Sequence, residues 1–269
     1  WFVGLIAEVG DAVEHQLNDD PKHNVQLIRH ALRSALQAQP AGTQLQSQRL
    51  ILQKLACDAD MVLDLHCDFE SVEHLYTTPE AWPQVELLSR YLGAQASMLA
   101  TDSGGQSFDE CFTLVWWQLQ QRFADRFAIP MGSFSVTLEL RGQGDVSHAL
   151  ACRDSQALIN YLIAYGAIGG EVAVAPQLLY PATPLAAVEP VTTPVGGLLV
   201  FCTQPGEYVE AGQLIADIID PISDAVTPVH TAHAGLLYAR SLRRMATAGM
   251  AIAHVAGTEA YRSGYLLSP

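Results

Sequence analysis

One histidine of the sequence, His66, stands between two carboxylates, Asp64 and Asp68. Residues 60–66 are mostly apolar and predict a short buried strand, so His66 should lie at its carboxyl end. A neighbouring carboxylate can accept the second ring N–H of an imidazole and fix the tautomer that binds a metal ion. Considered alone, His66 also fits a histidine that is hydrogen-bonded at a strand end without any metal.

An acidic residue interrupts a second apolar strand. Residues 133–140 are rich in β-branched and apolar side chains and predict a strand that carries Glu139 near its carboxyl end. Because an unpaired buried carboxylate is costly, Glu139 should either form an ion pair with Arg141 or face a cleft. In a cleft, Glu139 can take a proton from metal-bound water and later return it as an acid.

Two segments after these strands hold candidate substrate contacts. Glu70, His74 and Tyr76 follow His66 closely and can line a cleft, although a solvated loop is the favoured interpretation. The Gly-rich loop 102–109 can offer backbone N–H groups to an anionic group, or serve only as a loop and helix cap. The residues that we single out as substrate contacts are Asp68, Tyr76, Arg141 and Gly105.

An alternation of helices and strands must position these residues. Apolar residues at three-four spacing predict a helix over 24–39, and Thr43 can cap a second helix that runs through Leu55. Further helices are predicted over 79–92, 108–127 and 154–165, with a strand over 97–100. This order predicts an α/β fold with a mainly parallel sheet flanked by helices. In such sheets, sites form at the carboxyl ends of the strands.

The sequence changes character after about residue 170. We assign residues 1–170 to a first domain, 171–190 to a proline-punctuated linker and 191–269 to a C-terminal β-domain. A motif around Gly197 recurs around Gly235, which predicts a small pseudo-symmetric β-sandwich. The predicted interior comprises Val195, Leu198, Val200, Val209, Leu214 and Ile218.

The repeat resembles the barrel-sandwich fold of biotinyl and lipoyl carrier domains. No lysine follows Lys54, which excludes covalent attachment of biotin or lipoate to the β-domain. We expect the β-domain to restrict a cleft to small substrates, with a remote stability or oligomerisation module as the alternative. Its histidines are interpreted as surface residues in preference to a second metal cluster; they are His230, His233 and His254.

Composition excludes several classes of partner. The net charge is −14, and the 14 Lys and Arg residues are scattered, so nucleic acid is not an expected partner. Five cysteines without a C-x-x-C pair argue against a disulfide framework and predict a cytoplasmic protein. No apolar run reaches the roughly 18 residues of a membrane span.

The Asp-Leu-His sequence at His66 and the Thr-Leu-Glu-Leu-Arg-Gly sequence over 137–142 resemble motifs of the zinc carboxypeptidase-like hydrolases. The likeness is closer to their succinylglutamate desuccinylase and aspartoacylase branch, which joins such a domain to a small C-terminal β-domain, and it covers about residues 5–257. The resemblance implies a deacylase that binds Zn²⁺ through His66, uses Glu139 as general base and cleaves an N-acyl amino acid or similar small amide. Membrane binding is not expected, and a homo-oligomer is left open.

One element of that family pattern is missing. The resemblance implies two further zinc ligands in an early His-x-x-Glu motif, but His15, His23 and His30 are not followed by glutamate at the required spacing. We expect these ligands upstream of the printed residues; the alternative is a natural chain that has lost its site. The functional alternatives are therefore a zinc-free binding protein on the same fold and a carboxypeptidase-type peptidase.

Overall fold

The chain alternates helices and short strands before it becomes all-β. The structure is a computed structural model in which residues 5–105 and 107–267 are described. Its α-helices are α1 (Leu5–Val13), α2 (Pro21–Ala38), α3 (Gln44–Ala56), α4 (Trp82–Leu92), α5 (Glu110–Phe123) and α6 (His148–Tyr165). Its first strands are β1 (Met61–Asp68), β2 (Glu70–Ser71), β3 (His74–Thr77), β4 (Ala96–Leu99), β5 (Phe134–Gly142) and β6 (Thr183–Pro184).

The remaining strands follow a 3-10 helix at Leu185–Ala187. They are β7 (Val188–Thr192), β8 (Gly197–Phe201), β9 (Tyr208–Val209), β10 (Leu214–Ile219), β11 (Val226–His230), β12 (Gly235–Arg240), β13 (Met245–Ala246) and β14 (Ala251–Ala256). None of the helices described is long and apolar enough to cross a membrane.

The predicted helices are present, and their caps explain where they begin. The side chain of Asp20 caps α2, which therefore starts at Pro21, ahead of the predicted start. Thr43 caps α3 in a capping box, as its sequence predicts. Ser147 accepts a hydrogen bond from the Leu150 N–H at 3.2 Å, so α6 begins well before the predicted residue 154. Helix α5 is shorter at both ends than the predicted 108–127.

The described residues divide into two compact units, one within Trp1–Asp64 and Gly105–Val136, the other within Leu65–Gly104 and Thr137–Pro269. The first unit buries the apolar faces of α1, α2, α3 and α5 in one core. Fully buried members of this core include Ile28, Trp116, Leu119 and Phe123.

A mixed sheet with the strand order β1-β5-β3-β4-β6 carries the candidate residues. Strand β4 is parallel to both β3 and β6, whereas β5 is antiparallel to β3. Helix α4 packs on β3 and α6 packs on α4. The predicted α/β class, with a small all-β region at the C-terminus, is confirmed.

The C-terminal strands form two antiparallel sheets related by an internal repeat. One sheet has the order β11-β10-β8-β13, and the other has the order β2-β12-β14-β7 with β9 also paired to β12. Each half of the repeat lends its short second strand to the other sheet, because β9 pairs with β12 and β13 pairs with β8. Gly197 and Gly235 begin equivalent strands, as the sequence repeat predicts.

The predicted interior of the β-domain is partly wrong. Val209 and Ile218 are buried as predicted, but Leu198 and Val200 are each 42% exposed, and Leu199 between them is 2% exposed. Residues 198–201 are all apolar, so the sequence contains no alternation that distinguishes the two faces of β8. Val195 is also exposed, and Leu214 is half-buried.

The predicted domain boundaries stay a prediction. Residues 183–184, which the prediction placed in the linker, pair with β4 in the mixed sheet. Strand β7, which begins at Val188 inside the same predicted linker, pairs with β14. The linker prediction followed from the prolines, yet Pro184 and Pro190 both lie within strands.

The inward direction of Leu199 gives the first prediction. Leu199→Ala should lower the free energy of unfolding by about 2–5 kcal/mol, because it leaves a cavity in the sandwich interior. Leu198→Ala, the matched control on the opposite face of β8, should change it by less than about 1 kcal/mol. Urea denaturation of the variants measures both values. Equal losses for the two substitutions would contradict the assigned faces.

Candidate functional site

One face of the mixed sheet carries most of the candidate residues. Strand alternation places His66 and Asp68 of β1 on the same side. In the neighbouring strands, His74 of β3 lies directly opposite Glu139 of β5, so these two side chains share a face. Tyr76 lies two residues beyond His74 and points the same way. The chain therefore brings Glu139 onto the same face as four side chains from residues 66–76.

His66 and Glu139 form the open part of this face. His66 Nδ1 lies 4.0 Å from Glu139 Oε1. The His66 side chain is 51% exposed, whereas the Glu139 side chain is 13% exposed. A separation of 4.0 Å is too long for a direct hydrogen bond but lets both groups contact one small molecule such as water. Glu139 thus lies where a carboxylate can act as a base toward that molecule.

His74 lies beneath Asp68 and has a defined tautomer. Its Nδ1 is 2.8 Å from the Val72 carbonyl oxygen, which can only accept, so Nδ1 carries a proton. Its Nε2 then faces the Asp68 Oδ2 at 3.8 Å. Burial lowers the pKa of His74 to about 4, so its imidazole is neutral near pH 7.

Four rings, two of them buried and two partly buried, back this face; we call His74, Tyr76, Tyr238 and His254 the ring cluster. The Tyr76 and Tyr238 hydroxyl oxygens are 3.3 Å apart. The Tyr238 ring lies 4.8 Å from the His74 ring and 5.9 Å from the His254 ring, centre to centre. Burial raises the pKa of both tyrosines and lowers the pKa of His254, so the cluster is neutral near pH 7.

The ring cluster corrects two predictions. The favoured solvated loop at Glu70, His74 and Tyr76 is wrong, because His74 is 2% exposed in β3 and Glu70 pairs within a sheet as part of β2. The surface interpretation of His254 is also wrong, since His254 is partly buried on β14 and its ring stacks on the Tyr238 ring. His230 is exposed, and the half-exposed His233 stacks on Tyr261 at 4.1 Å. The pattern His-x-Tyr around Leu75 fits a strand, but four residues were too few to recognise.

Arg141 makes contacts that favour a structural role over the predicted substrate contact. Its guanidinium forms ion pairs with Glu73 and, at 2.5 Å, with Asp154, and its side chain is 11% exposed. Arg141 has φ of 66°, which breaks strand alternation at the end of β5 and turns the side chain toward these carboxylates. The alternative in which Arg141 neutralises Glu139 is therefore not the arrangement observed.

The loop around Gly105 keeps its predicted loop character. Asp102 Oδ1 accepts a hydrogen bond from the Gly104 N–H at 2.8 Å, and Gly104 has φ of 76°. Ser107 donates a hydrogen bond to Asp109 just before α5. Gln106 of this loop lies outside the described residues. Anion binding at Gly105 stays a prediction.

The described residues do not by themselves complete a zinc site. A catalytic zinc ion has three protein ligands, commonly two histidines and a glutamate. Within residues 5–105 and 107–267, no group of three or more His, Cys, Asp or Glu side chains is arranged to hold a metal ion. His66 offers one nitrogen, with the Glu139 carboxylate 4.0 Å away.

The fold is similar to that of several solved structures. A candidate succinylglutamate desuccinylase/aspartoacylase from Shewanella frigidimarina NCIMB 400 is 22% identical, with a TM-score of 0.81 over 95% of this chain and 70% of that chain. A candidate protein of the same family from Shewanella amazonensis SB2B is 19% identical, with a TM-score of 0.80 over the same shares. The ectoine utilization protein EutE (DoeB) from Ruegeria pomeroyi is 21% identical, with a TM-score of 0.62 over 82% of this chain and 67% of that chain. No protein-family model and no curated protein matches the sequence. At these identities, the likeness shows a shared fold.

The neutral state of His74 predicts how stability depends on pH. An unfolded imidazole gains its proton near pH 6.5, whereas the buried His74 gains it only near pH 4. Its contribution to stability is therefore present above pH 6.5 and is lost as the pH falls toward 4. His74→Gln should reduce the slope of unfolding free energy against pH by about 1 kcal/mol per pH unit in this window. Chemical denaturation at a series of pH values measures the slope.

The control for this prediction is His230→Gln. His230 is exposed on β11, so its replacement should leave the slope as it is in the original protein. If His74→Gln also kept the original slope, the buried neutral imidazole would be ruled out.

Proposed function

We propose that this chain is a deacylase that hydrolyses the amide bond of an N-acyl amino acid or a similar small amide. The proposal starts from the fold that the chain shares with structures described as succinylglutamate desuccinylase/aspartoacylase proteins. The observation that carries the proposal is the pair of His66 and Glu139, with an open imidazole 4.0 Å from a recessed carboxylate.

Amide hydrolysis requires a base for the attacking water and an acid for the leaving amine. Glu139 is suited to both steps, because a carboxylate that has taken the water proton can pass it to the amine nitrogen. The recessed position of Glu139, at 13% exposure, keeps its carboxylate oriented from within the sheet while Oε1 faces His66. The ring cluster nearby is neutral near pH 7.

The other predicted contacts differ in how well they suit substrate binding. The Asp68 side chain is 25% exposed and shares the face of His66, so it can accept a hydrogen bond from a substrate N–H group. Tyr76 is partly buried and its hydroxyl contacts the Tyr238 hydroxyl, which suits a supporting wall behind the substrate. We propose Asp68 as the direct contact of the two.

A zinc ion at His66 is part of the same proposal. It requires protein ligands in addition to His66, which the described residues do not supply as a group. The second candidate is a zinc-free binding protein for the same class of small molecule. Metal analysis of the natural protein separates the two: about one zinc per chain supports the deacylase. Metal-free protein that still binds an N-acyl amino acid supports the binding protein.

The proposal predicts the effect of Glu139→Gln. The amide keeps the shape of the side chain but cannot accept the water proton, so kcat should fall by at least about 100-fold. Initial rates on a panel of N-acetyl and N-succinyl amino acids measure the loss. Glu171→Gln is the control, because Glu171 is an exposed glutamate that lies outside every helix and strand described. Full activity in Glu139→Gln would remove Glu139 from the mechanism.

A further inference from the structure

A short segment links the two strands that carry the candidate site. Residues 69–73, here called the connector, run from Asp68 at the end of β1 to His74 at the start of β3. Within the connector, β2 pairs with β12 of the C-terminal sheets, with Ser71 opposite Ala239. The next backbone bond continues this pairing, since the Val72 N–H donates to the Tyr238 carbonyl at 3.0 Å. The connector is thus an edge strand of the β-domain.

Charged side chains fasten the same segment. Glu70 accepts hydrogen bonds from the Arg240 and Arg244 guanidinium groups, each at 2.6 Å. Arg240 is itself held, because it donates to the Thr203 carbonyl at 2.5 Å and lies over the Phe201 ring at 4.7 Å. Charge-assisted bonds between partly buried groups are stronger than those on the open surface. The connector is therefore held through both its backbone and its side chains.

Strand β5 approaches the connector so closely that only glycine fits. A Cβ atom on Gly142 would lie 2.7 Å from the Phe69 carbonyl oxygen. The following N–H, of Gln143, donates to the Asp68 carbonyl at 2.7 Å. A shift of the connector should therefore also move Asp68 and the end of β5, the strand that carries Glu139.

The connector also fixes the His74 ring, which lies opposite Glu139 in the mixed sheet. Val72 is bonded on both sides: its N–H donates to the Tyr238 carbonyl, and its carbonyl accepts from His74 Nδ1 at 2.8 Å. The Tyr238 ring packs against the His74 ring at 4.8 Å. Together these contacts fix the His74 ring, whose unprotonated Nε2 lies 3.8 Å from Asp68 Oδ2, too far for a hydrogen bond.

We propose that Tyr238 is a positioning residue for the candidate site. It acts through the His74 ring and the Val72 backbone and contacts no reacting group, and its effect is to hold His74, and with it Glu139 opposite on β5, on the face shared with His66. The kinetic consequence rests on the proposed function, because it requires a reaction whose rate can be measured. The structural consequence, the orientation of His74, does not.

This role differs from the gatekeeper expected from the sequence. A gatekeeper changes which substrates enter, so its loss alters KM for large substrates more than for small ones. A positioning residue keeps the reacting groups aligned, and a misplacement of about 1 Å can cost about 100-fold in rate. Loss of Tyr238 should therefore lower kcat for every substrate.

Tyr238→Ala and Tyr238→Phe test the proposal. The alanine variant loses the ring that packs on His74, and kcat should fall by about 10–100-fold with KM changed by less than about threefold. The phenylalanine variant keeps the ring and should stay within about threefold of the original kcat. Tyr208→Ala, an exposed tyrosine on β9, is the control and should behave like the original protein.

A second readout needs no activity. The His74 Nδ1–H bond to Val72 should give a slowly exchanging ring proton in NMR spectra, identified by its absence in His74→Gln. It should persist in Tyr238→Phe and vanish in Tyr238→Ala. If Tyr238→Ala does not fold, Glu70→Gln tests the same attachment of the connector to the β-domain, because it removes the carboxylate charge between Arg240 and Arg244. That variant should lower kcat with little change in KM.

The outcomes distinguish this proposal from the proposed function. If the original protein is inactive but its ring proton responds as expected, the deacylase proposal is contradicted and the positioning role of Tyr238 is supported. Active Tyr238→Ala or Glu70→Gln with kcat unchanged, or a ring proton that persists without the Tyr238 ring, would overturn the positioning role.

Discussion

The antiparallel pairing of β5 with β3 is the contact on which the candidate site depends. It sets His74 opposite Glu139 and so determines which side chains share a face with His66. The pairing ends abruptly, because Arg141 leaves strand geometry to reach Glu73 and Asp154. That buried ion network joins β5, the start of β3 and α6, and removing one partner would leave an uncompensated charge. The ion pairs of Arg141 with residues outside β5 therefore help to fix the register of Glu139.

Electrostatics explain why the groups around Glu139 are mostly neutral. Burial disfavours the charged form of the imidazoles of His74 and His254, and of the hydroxyls of Tyr76 and Tyr238. Charges are instead concentrated where they fasten segments, at Glu70 in the connector and at Arg141. The C-terminal sheets thus contribute to the wall of the candidate site and to the segment that holds it.

The sequence predicted the parts of this structure that depend on local chemistry. The sequence predicted the cap at Thr43, the glycines at the start of equivalent strands and the strand that bears Glu139. Each of these features depends only on residues close by in the sequence. The buried and exposed faces of β8 could not be predicted, because an all-apolar run shows no alternation of polar and apolar residues. The burial of His254 was not readable either, since it depends on pairing between strands far apart in sequence.

The central claim is that His66 and Glu139 act together on one reacting water. A double-substitution cycle on kcat/KM, with His66→Ala, Glu139→Gln and both, tests it most directly. If the two residues act as a unit, each single change should cost at least about 100-fold and the double change scarcely more. Losses that simply multiply would show that the two side chains act independently and would contradict the account.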